Sequence, residues 1–265
     1  MSRFDVLLMP SAVRPSTRTP FQALVNPEIR LKQTVKASRL WIRRAKSIGF
    51  RIILGDNSGS AGAIARELNL DPIEREFFKI KELDAPSNED IERGKGACET
   101  LSLISLLGDD WIDKNSVVAK CNARYFVTNG CLLVERLTRS FDFAAWPSAK
   151  FDKIDTTFFI GRRHFLESIL PSIYAETNDV KGLVVETLYA KSSIHSPNCD
   201  FERFSYMPAI RGQSGSTGAT ESFLNESRLV SSLVRSRQKI RNTLNFVKPR
   251  HYYEKLEVNN EAQNG

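Results

Sequence analysis

Hydrophobic residues along this chain alternate between short runs and helical stripes. Residues 3–10 hold a compact apolar run, Val6 to Met9, closed by Pro10, which predicts a strand covered on both faces. Over residues 28–48, Leu31, Val35, Ile42, Ala45 and Ile48 recur at helical steps, while Arg30, Lys32, Lys36, Arg39, Arg43 and Arg44 take the other faces. Gly49 is the expected stop. A second apolar run, residues 50–54, leads into Gly55-Asp56-Asn57-Ser58-Gly59, a turn whose small and polar residues could face a ligand.

The alternation continues with a helix over 61–68, a strand near 77–80, and a helix over 97–107 after Arg93-Gly94-Lys95-Gly96. Residues 116–120, 125–127 and 157–160 are β-rich, and 164–170 is helical. Residues 180–190 have helical spacing, which sets Glu186 mid-helix in an apolar stretch. Strand–helix–strand order implies an α/β fold whose parallel strands carry ligands beyond their carboxyl ends.

Two later segments differ in kind. Residues 211–221, rich in Gly, Ser and Thr, read as a flexible loop. Residues 222–255 read as a basic amphipathic helical arm, with Leu229, Leu233, Ile240, Leu244 and Val247 on one face, and 256–265 as a disordered tail. The chain has 265 residues, with 38 Lys plus Arg against 31 Asp plus Glu and a net charge of +7. Eight Lys or Arg against two Glu give the arm a charge of +6, and with two Glu in the tail the body over 1–210 holds +3, nearly neutral for its length. Such an arm fits an anionic membrane surface, a helix packed on the body, or nucleic acid. No run approaches the ~18 apolar residues of a membrane span, and the first apolar run lacks the flanks of a signal peptide, so the expected location is cytoplasmic. Cys98, Cys121, Cys131 and Cys199 lie far apart, against a zinc knuckle or a disulfide framework.

Four clusters carry candidate chemistry. Asp56, Asn57 and Ser58 could meet a ribose or base, or cap the following helix; the glycine spacing is not that of a dinucleotide fingerprint. Lys95, between glycines at a helix start with Glu99 one turn on, could grip a diphosphate, or form an exposed turn; the Walker A spacing is absent. Lys120, Arg124 and Asn129 bring cations and an amide to a strand end, suited to a pyrophosphate and a sugar hydroxyl, or to an internal ion pair with an acid such as Asp155. Asp152, Asp155, Asp179 and Glu186 form the acidic set, in which Glu186 suits a general base raised by apolar neighbours, or a scaffold ion pair. Asp109-Asp110-Trp111-Ile112-Asp113 reads as a polar loop.

The order of these motifs, with Asp56-Asn57-Ser58, the Gly94-Lys95-Gly96 turn with Glu99, and Lys120-x-x-x-Arg124-Tyr125 followed by Asn129, resembles bacterial GT-A-type glycosyltransferases of surface polysaccharide (capsule or lipopolysaccharide O-antigen) biosynthesis, over residues 3–190. Ala123 stands where that group has Gly. The resemblance implies one GT-A-like (Rossmann-like) catalytic domain over 1–210, with a mixed, mostly parallel central sheet flanked by helices. It would bind a nucleotide-diphosphate sugar and transfer the sugar to a hydroxyl of a glycan or lipid-linked acceptor. Asp56, Asn57, Ser58, Lys95, Glu99, Lys120, Arg124 and Asn129 would hold the donor. Glu186 would be the base for an inverting transfer, ahead of Asp155 and Asp179. A DxD motif for Mn²⁺ or Mg²⁺ is not found, Asp152 and Asp155 having the wrong spacing, so metal dependence stays open and cations could neutralise the leaving group. The alternatives are a nucleic-acid-binding protein, for which only the charge speaks, and a nucleotidyltransferase on a related fold.

Overall fold

Strand β1, Val6–Ser11, is buried along its whole length, and its side chains alternate between two cores. Leu7 and Met9 enter one core and Val6 and Leu8 the other, as the two-residue period of a strand requires. These are the first elements of a computed structural model that describes residues 4–135, 137, 140–213 and 220–222. Pro10 lies inside the strand rather than ending it. Pairing with the β4 side stops at Leu8–Lys120, so the missing proline N–H is not needed there.

Helix α1, Pro27–Ile48, is capped by the Asn26 side chain, which accepts from the Ile29 N–H at 3.1 Å, and closed by Gly49 in the left-handed region. Its buried stripe is offset from the expected one. Arg30, Thr34, Ala37, Ser38, Trp41, Ile42 and Ala45 face inward, and Leu31, Val35 and Ile48 are only partly covered. Trp41 explains the offset: its ring packs on Phe50 and Phe126 while its indole N–H donates to the Tyr125 carbonyl at 2.8 Å.

The chain continues as β2 (Arg51–Asp56), α2 (Ala61–Leu68), α3 (Pro72–Arg75), β3 (Phe78–Glu82), α4 (Asn88–Arg93), α5 (Lys95–Leu107), β4 (Val117–Cys121), β5 (Phe126–Val127) and α6 (Gly130–Glu135). It ends its described part with β6 (Phe143–Pro147), β7 (Ile154–Arg162), α7 (Arg163–Glu176), α8 (Val185–Ser192), β8 (Phe201–Arg203), β9 (Ile210–Gln213) and β10 (Thr220–Ser222). Seven strands form the central sheet in the order β3-β2-β1-β4-β7-β6-β8. Pairs β3/β2, β2/β1, β1/β4 and β6/β8 are parallel, while β4/β7 and β7/β6 are antiparallel. The fold is thus α/β, with a mixed, mostly parallel central sheet. Helices α1 and α2 cover one face through Trp41, Ile42 and Ile64, and α5, α7 and α8 cover the other through Leu106, Leu170 and Tyr189.

The chain departs from the expected elements at three places. Residues 180–190 are not one helix: Asp179–Lys181 is a 3-10 turn, Gly182 is left-handed, and α8 starts only at Val185. Glu186 therefore sits in a first helical turn, and Asp155 lies inside β7 instead of before it. The ends of the expected loop 211–221 are strands, because β9 pairs with β5 and β10. Glycine at 212 permits this, since a Cβ there would stand 2.6 Å from the Arg124 carbonyl oxygen. Residues 214–219 and 223–265, which hold nearly all of the expected arm and the tail, lie outside the described residues. No helix among the described residues is long and apolar enough to cross a membrane.

Candidate functional site

Strand order reverses at β1, which sends one connection to β2 and has β4 on its other side, and a cavity of about 320 Å³ opens beyond the carboxyl ends of these strands. Its walls come from the chain after β1, the Asn57-Ser58 turn, the start and one face of α5, and Asn122-Ala123-Arg124 after β4. Four cations line it, Arg14, Arg30, Lys95 and Arg124, against one carboxylate, Glu99. The local charge is strongly positive although the body as a whole is nearly neutral.

Of the residues singled out from the sequence, Asn57, Ser58, Lys95, Glu99 and Arg124 reach this cavity. Asp56 lies beneath it, fully buried, and is committed to the fold. Its Oδ1 accepts from the Ser58 N–H (2.9 Å), the Ser58 hydroxyl (2.6 Å) and the Ser60 N–H (3.0 Å), and its Oδ2 from the Val13 N–H (3.0 Å). It shapes the turn that presents Asn57 and Ser58. Asn57 is fixed in turn by donating to the Ser102 hydroxyl at 2.9 Å.

Lys120 is also internal. Its ammonium donates to the Glu99 carboxylate, the Thr156 carbonyl and, at 2.6 Å, the Asn122 side-chain oxygen. The expectation of an ion pair was right in kind, but the partner is Glu99 and not Asp155, whose carboxylate accepts from the Thr157 N–H at 2.9 Å. Burial works against ionisation of Glu99, yet Lys120 and Lys95, with the hydrogen bonds from Lys120 and Asn122, hold its carboxyl below the usual range. Asn129 pins another segment: it donates to the Met207 carbonyl (2.9 Å) and accepts from the Ala209 N–H (2.8 Å). Asp56, Lys120 and Asn129 are not among the residues that line the cavity.

The start of α5 is occupied by the chain's own anion. Asp179 accepts from the Gly96 N–H at 3.0 Å, and the positive φ of Gly94 (116°) leaves room for that carboxylate where a Cβ would collide with it. A phosphate at this helix terminus would have to displace Asp179, so the diphosphate contact expected from the Gly94-Lys95-Gly96 turn reduces to the Lys95 side chain. Burial pushes the Asp179 carboxyl up, against the Gly96 N–H and Lys95. Burial likewise pushes Glu186 up; its own backbone N–H opposes this, Glu99 adds to it and Lys95 offsets it. Asp155, Asp179 and Glu186 lie outside the cavity lining, with Glu186 and Asp179 within electrostatic reach of Lys95 and Glu99 on its wall.

Arg30 was missed by the apolar pattern, which counted it among the outward cations. It is 5% exposed and lines the cavity, donating to the Ala12 carbonyl (2.7 Å) and the Leu24 carbonyl (2.9 Å). The available signal was its position four residues before Thr34 and eleven before Trp41, on the inward stripe. Cys98, also in the lining, has its thiol pushed up to about 11 by burial, which makes it a poor nucleophile. Among the described residues no group of three or more His, Cys, Asp or Glu is placed to hold a metal ion. Asp152 is held instead by the Ser148 hydroxyl at 2.6 Å. Asp109, 3% exposed, pairs with Lys79 at 3.0 Å and Lys81 at 2.8 Å, so the Asp109-Asp110 run is scaffold.

No protein-family profile and no curated protein matches the chain. Among solved structures it is similar to the galactosyltransferase LgtC in complex with donor and acceptor sugar analogues, over 70% of this chain and 69% of that one, at 8% identity and a TM-score of 0.46. For an active-site mutant of LgtC the shares are 65% and 65%, at 8% identity and a TM-score of 0.42, so the chain spans just under two thirds of that protein. A structure described as a nucleotide-diphospho-sugar transferase, from Desulfovibrio desulfuricans G20, is similar over 77% of this chain and 80% of its own, at 11% identity and a TM-score of 0.43. The inositol-1-phosphate CTP transferase from T. maritima is similar over 76% and 84%, at 12% identity and a TM-score of 0.42.

Proposed function

We propose that the protein is a nucleotide-sugar-dependent glycosyltransferase, moving a sugar from a nucleotide-diphosphate donor to a hydroxyl of a glycan acceptor. The observation that carries this reading is the cavity at the sheet's reversal point, where four cations face one carboxylate that is already paired with Lys120. A diphosphate matches that charge, and Asn57, Ser58 and Ser102 supply neutral donors and acceptors suited to a sugar or base. The motif order shared with surface-polysaccharide glycosyltransferases supports the same class and a lipid-linked acceptor, which the basic 222–255 sequence would bring to an anionic bilayer.

In the transfer, the bond from the sugar's anomeric carbon to the diphosphate oxygen breaks and the acceptor oxygen bonds to that carbon. The acceptor's proton goes to Glu186. We assign the role to Glu186, whose carboxyl burial raises in the direction a general base needs, over Asp179 and Asp155, which accept from the Gly96 and Thr157 N–H groups. The negative charge left on the diphosphate is met by the cavity's guanidinium and ammonium groups. Among the described residues the cavity offers the single carboxylate of Glu99, already paired with Lys120, which does not fit a carboxylate-held Mn²⁺ or Mg²⁺.

Thermal-shift screening against nucleoside diphosphates, nucleotide sugars and oligonucleotides, with and without Mn²⁺, tests the class. Stabilisation by a nucleoside diphosphate and its sugar is expected; stabilisation by oligonucleotides alone, or release of pyrophosphate from a nucleoside triphosphate, would overturn it. Glu186→Gln is expected to abolish transfer and keep donor binding, and substantial remaining turnover would remove Glu186 from the role.

A further inference from the structure

We infer that a recess between α1 and α6 is a second ligand site, which takes a small amphiphilic anion with its apolar body among the rings of Phe4, Trp41, Phe50 and Phe158 and its head on Arg44. It goes beyond the glycosyl-transfer reading and does not depend on it.

The recess holds about 480 Å³, against about 320 Å³ for the cavity at the sheet's reversal point, and the two share no lining residue. Small-molecule sites run to roughly 300–1,000 Å³ and are mostly apolar, with a few polar anchors. Phe4, Trp41, Phe50, Val127, Val134 and Phe158 line the recess and are all buried, so it reaches into the core under α1 rather than lying on the surface. Its rings are already set. Phe4 lies tilted on Phe50 at 4.7 Å and Trp41 stands edge-on to Phe50 at 6.3 Å, while the Trp41 N–H is held by the Tyr125 carbonyl. An apolar group entering here meets walls that need little further ordering.

Arg44 supplies the anchor. Its half-buried guanidinium donates to the Cys131 Sγ at 2.9 Å and lies 5.9 Å from the centre of the Phe126 ring, and among the described residues no carboxylate pairs with it. A thiol sulfur is a weak acceptor and a ring carries no net charge, so the planar fork keeps donors for an oxyanion at the edge of an apolar recess. Glu135 also lines the recess, exposed to water and not paired with Arg44. Its charge repels a multiply charged head, which favours one carrying a single negative charge, such as a carboxylate, over a diphosphate.

Calorimetry on the full chain with decanoate, decanol and decylammonium, each below its micellar concentration, tests the site. Decanoate is expected to bind, and decanol to bind at least about tenfold more weakly, the scale of a charged hydrogen bond. Arg44→Gln is expected to lose about the same factor for decanoate and to leave decanol unchanged, while Arg44→Lys keeps a cation and loses less. Val134→Phe fills the recess and is expected to weaken both ligands, with thermal unfolding checking that each variant is folded. As a second readout, decanoate is expected to slow alkylation of Cys131 by iodoacetamide in the wild type and not in Val134→Phe. No binding of decanoate, or equal binding to the wild type and Arg44→Gln, would overturn the site. Tighter binding of decylammonium than of decanoate would overturn the anion and assign the head to Glu135. Protection of Cys131 by phosphatidylglycerol vesicles but not by decanoate would overturn the free ligand in favour of a bilayer contact.

Discussion

Lys120, wholly buried at the end of β4, gives its ammonium to the Glu99 carboxylate of α5, and Glu99 takes a second hydrogen bond from Asn122 at 2.8 Å. The pair ties the strand at the sheet's reversal point to the helix that walls the cavity. A lysine and a glutamate that each suggest ligand contact in the sequence thus bond each other, and both also bond Asn122.

Removing Lys120 leaves the Glu99 carboxylate, only 15% exposed, charged and without its ammonium. Lys120→Met is therefore expected to cost about 3–5 kcal/mol of folding stability, seen as a lower midpoint in urea denaturation. Wild-type stability combined with lost nucleotide affinity would instead return Lys120 to the binding site.

The carboxylates at this wall respond to pH in opposite senses. Glu99 is held below its unfolded value, so its contribution is full above the ordinary glutamate pKa of about 4.3 and is lost as the pH falls through the folded value. Glu186 and Asp179 are raised, so theirs is present below the unfolded values and lost as the pH rises through the folded ones. Glu186→Gln should accordingly gain stability over the wild type at neutral pH and lose that advantage in acid. A gain that grows on acidification would contradict the sign.

Tyr189 is stacked on Phe143 at 5.8 Å with its hydroxyl buried and without a hydrogen-bond partner among the described residues. An unmet buried hydroxyl costs roughly 1–3 kcal/mol. Tyr189→Phe should hold or raise the unfolding temperature, and a clear drop would reveal a partner for that oxygen.

Asn129 joins the start of α6 to the chain at Met207 and Ala209. Asn129→Ala is expected to lower stability by about 1–3 kcal/mol through the two unmet backbone groups, while nucleoside diphosphate affinity in calorimetry stays at the wild-type value.

The strand–helix alternation of the first sixty residues was legible because β1 and β2 are continuous apolar runs and α1 carries clear caps at Asn26 and Gly49. The later half was less so. Strand β6 has Phe143 and Ala144 on either side of the sheet, a short run without alternation, and β8 has three half-buried residues. Helix α4 was legible in retrospect through its Ser87–Asp90 capping box. At the cavity, residue types pointed to loops that line it but not to which side chains face inward. Asp56, Lys120 and Asn129 sit beside cavity residues in sequence and turn away: Asp56 closes its own turn onto Ser58 and Ser60, while Lys120 and Asn129 bond Glu99 and Ala209, both distant along the chain. Arg30 shows the converse: a cation on a basic helix is unremarked until Trp41 fixes which stripe is buried.

Arg30 also gathers the two ends of one segment. Its guanidinium holds the Ala12 and Leu24 carbonyls, so the stretch between them leaves β1 and rejoins the chain ahead of α1 at one clasp; the Val13 and Arg14 N–H groups tie its start to Asp56 and Ser58. Arg14, Ser16, Thr19 and Gln22 from that stretch line the cavity. Changes in its length or composition would be felt at the clasp before they reached the sheet, at a closure cost that grows only slowly with loop length. The segment is thus a cavity wall closed on itself by one side chain and rooted in the core at Val13, so a change in it would be read out at the cavity and at Val13 together.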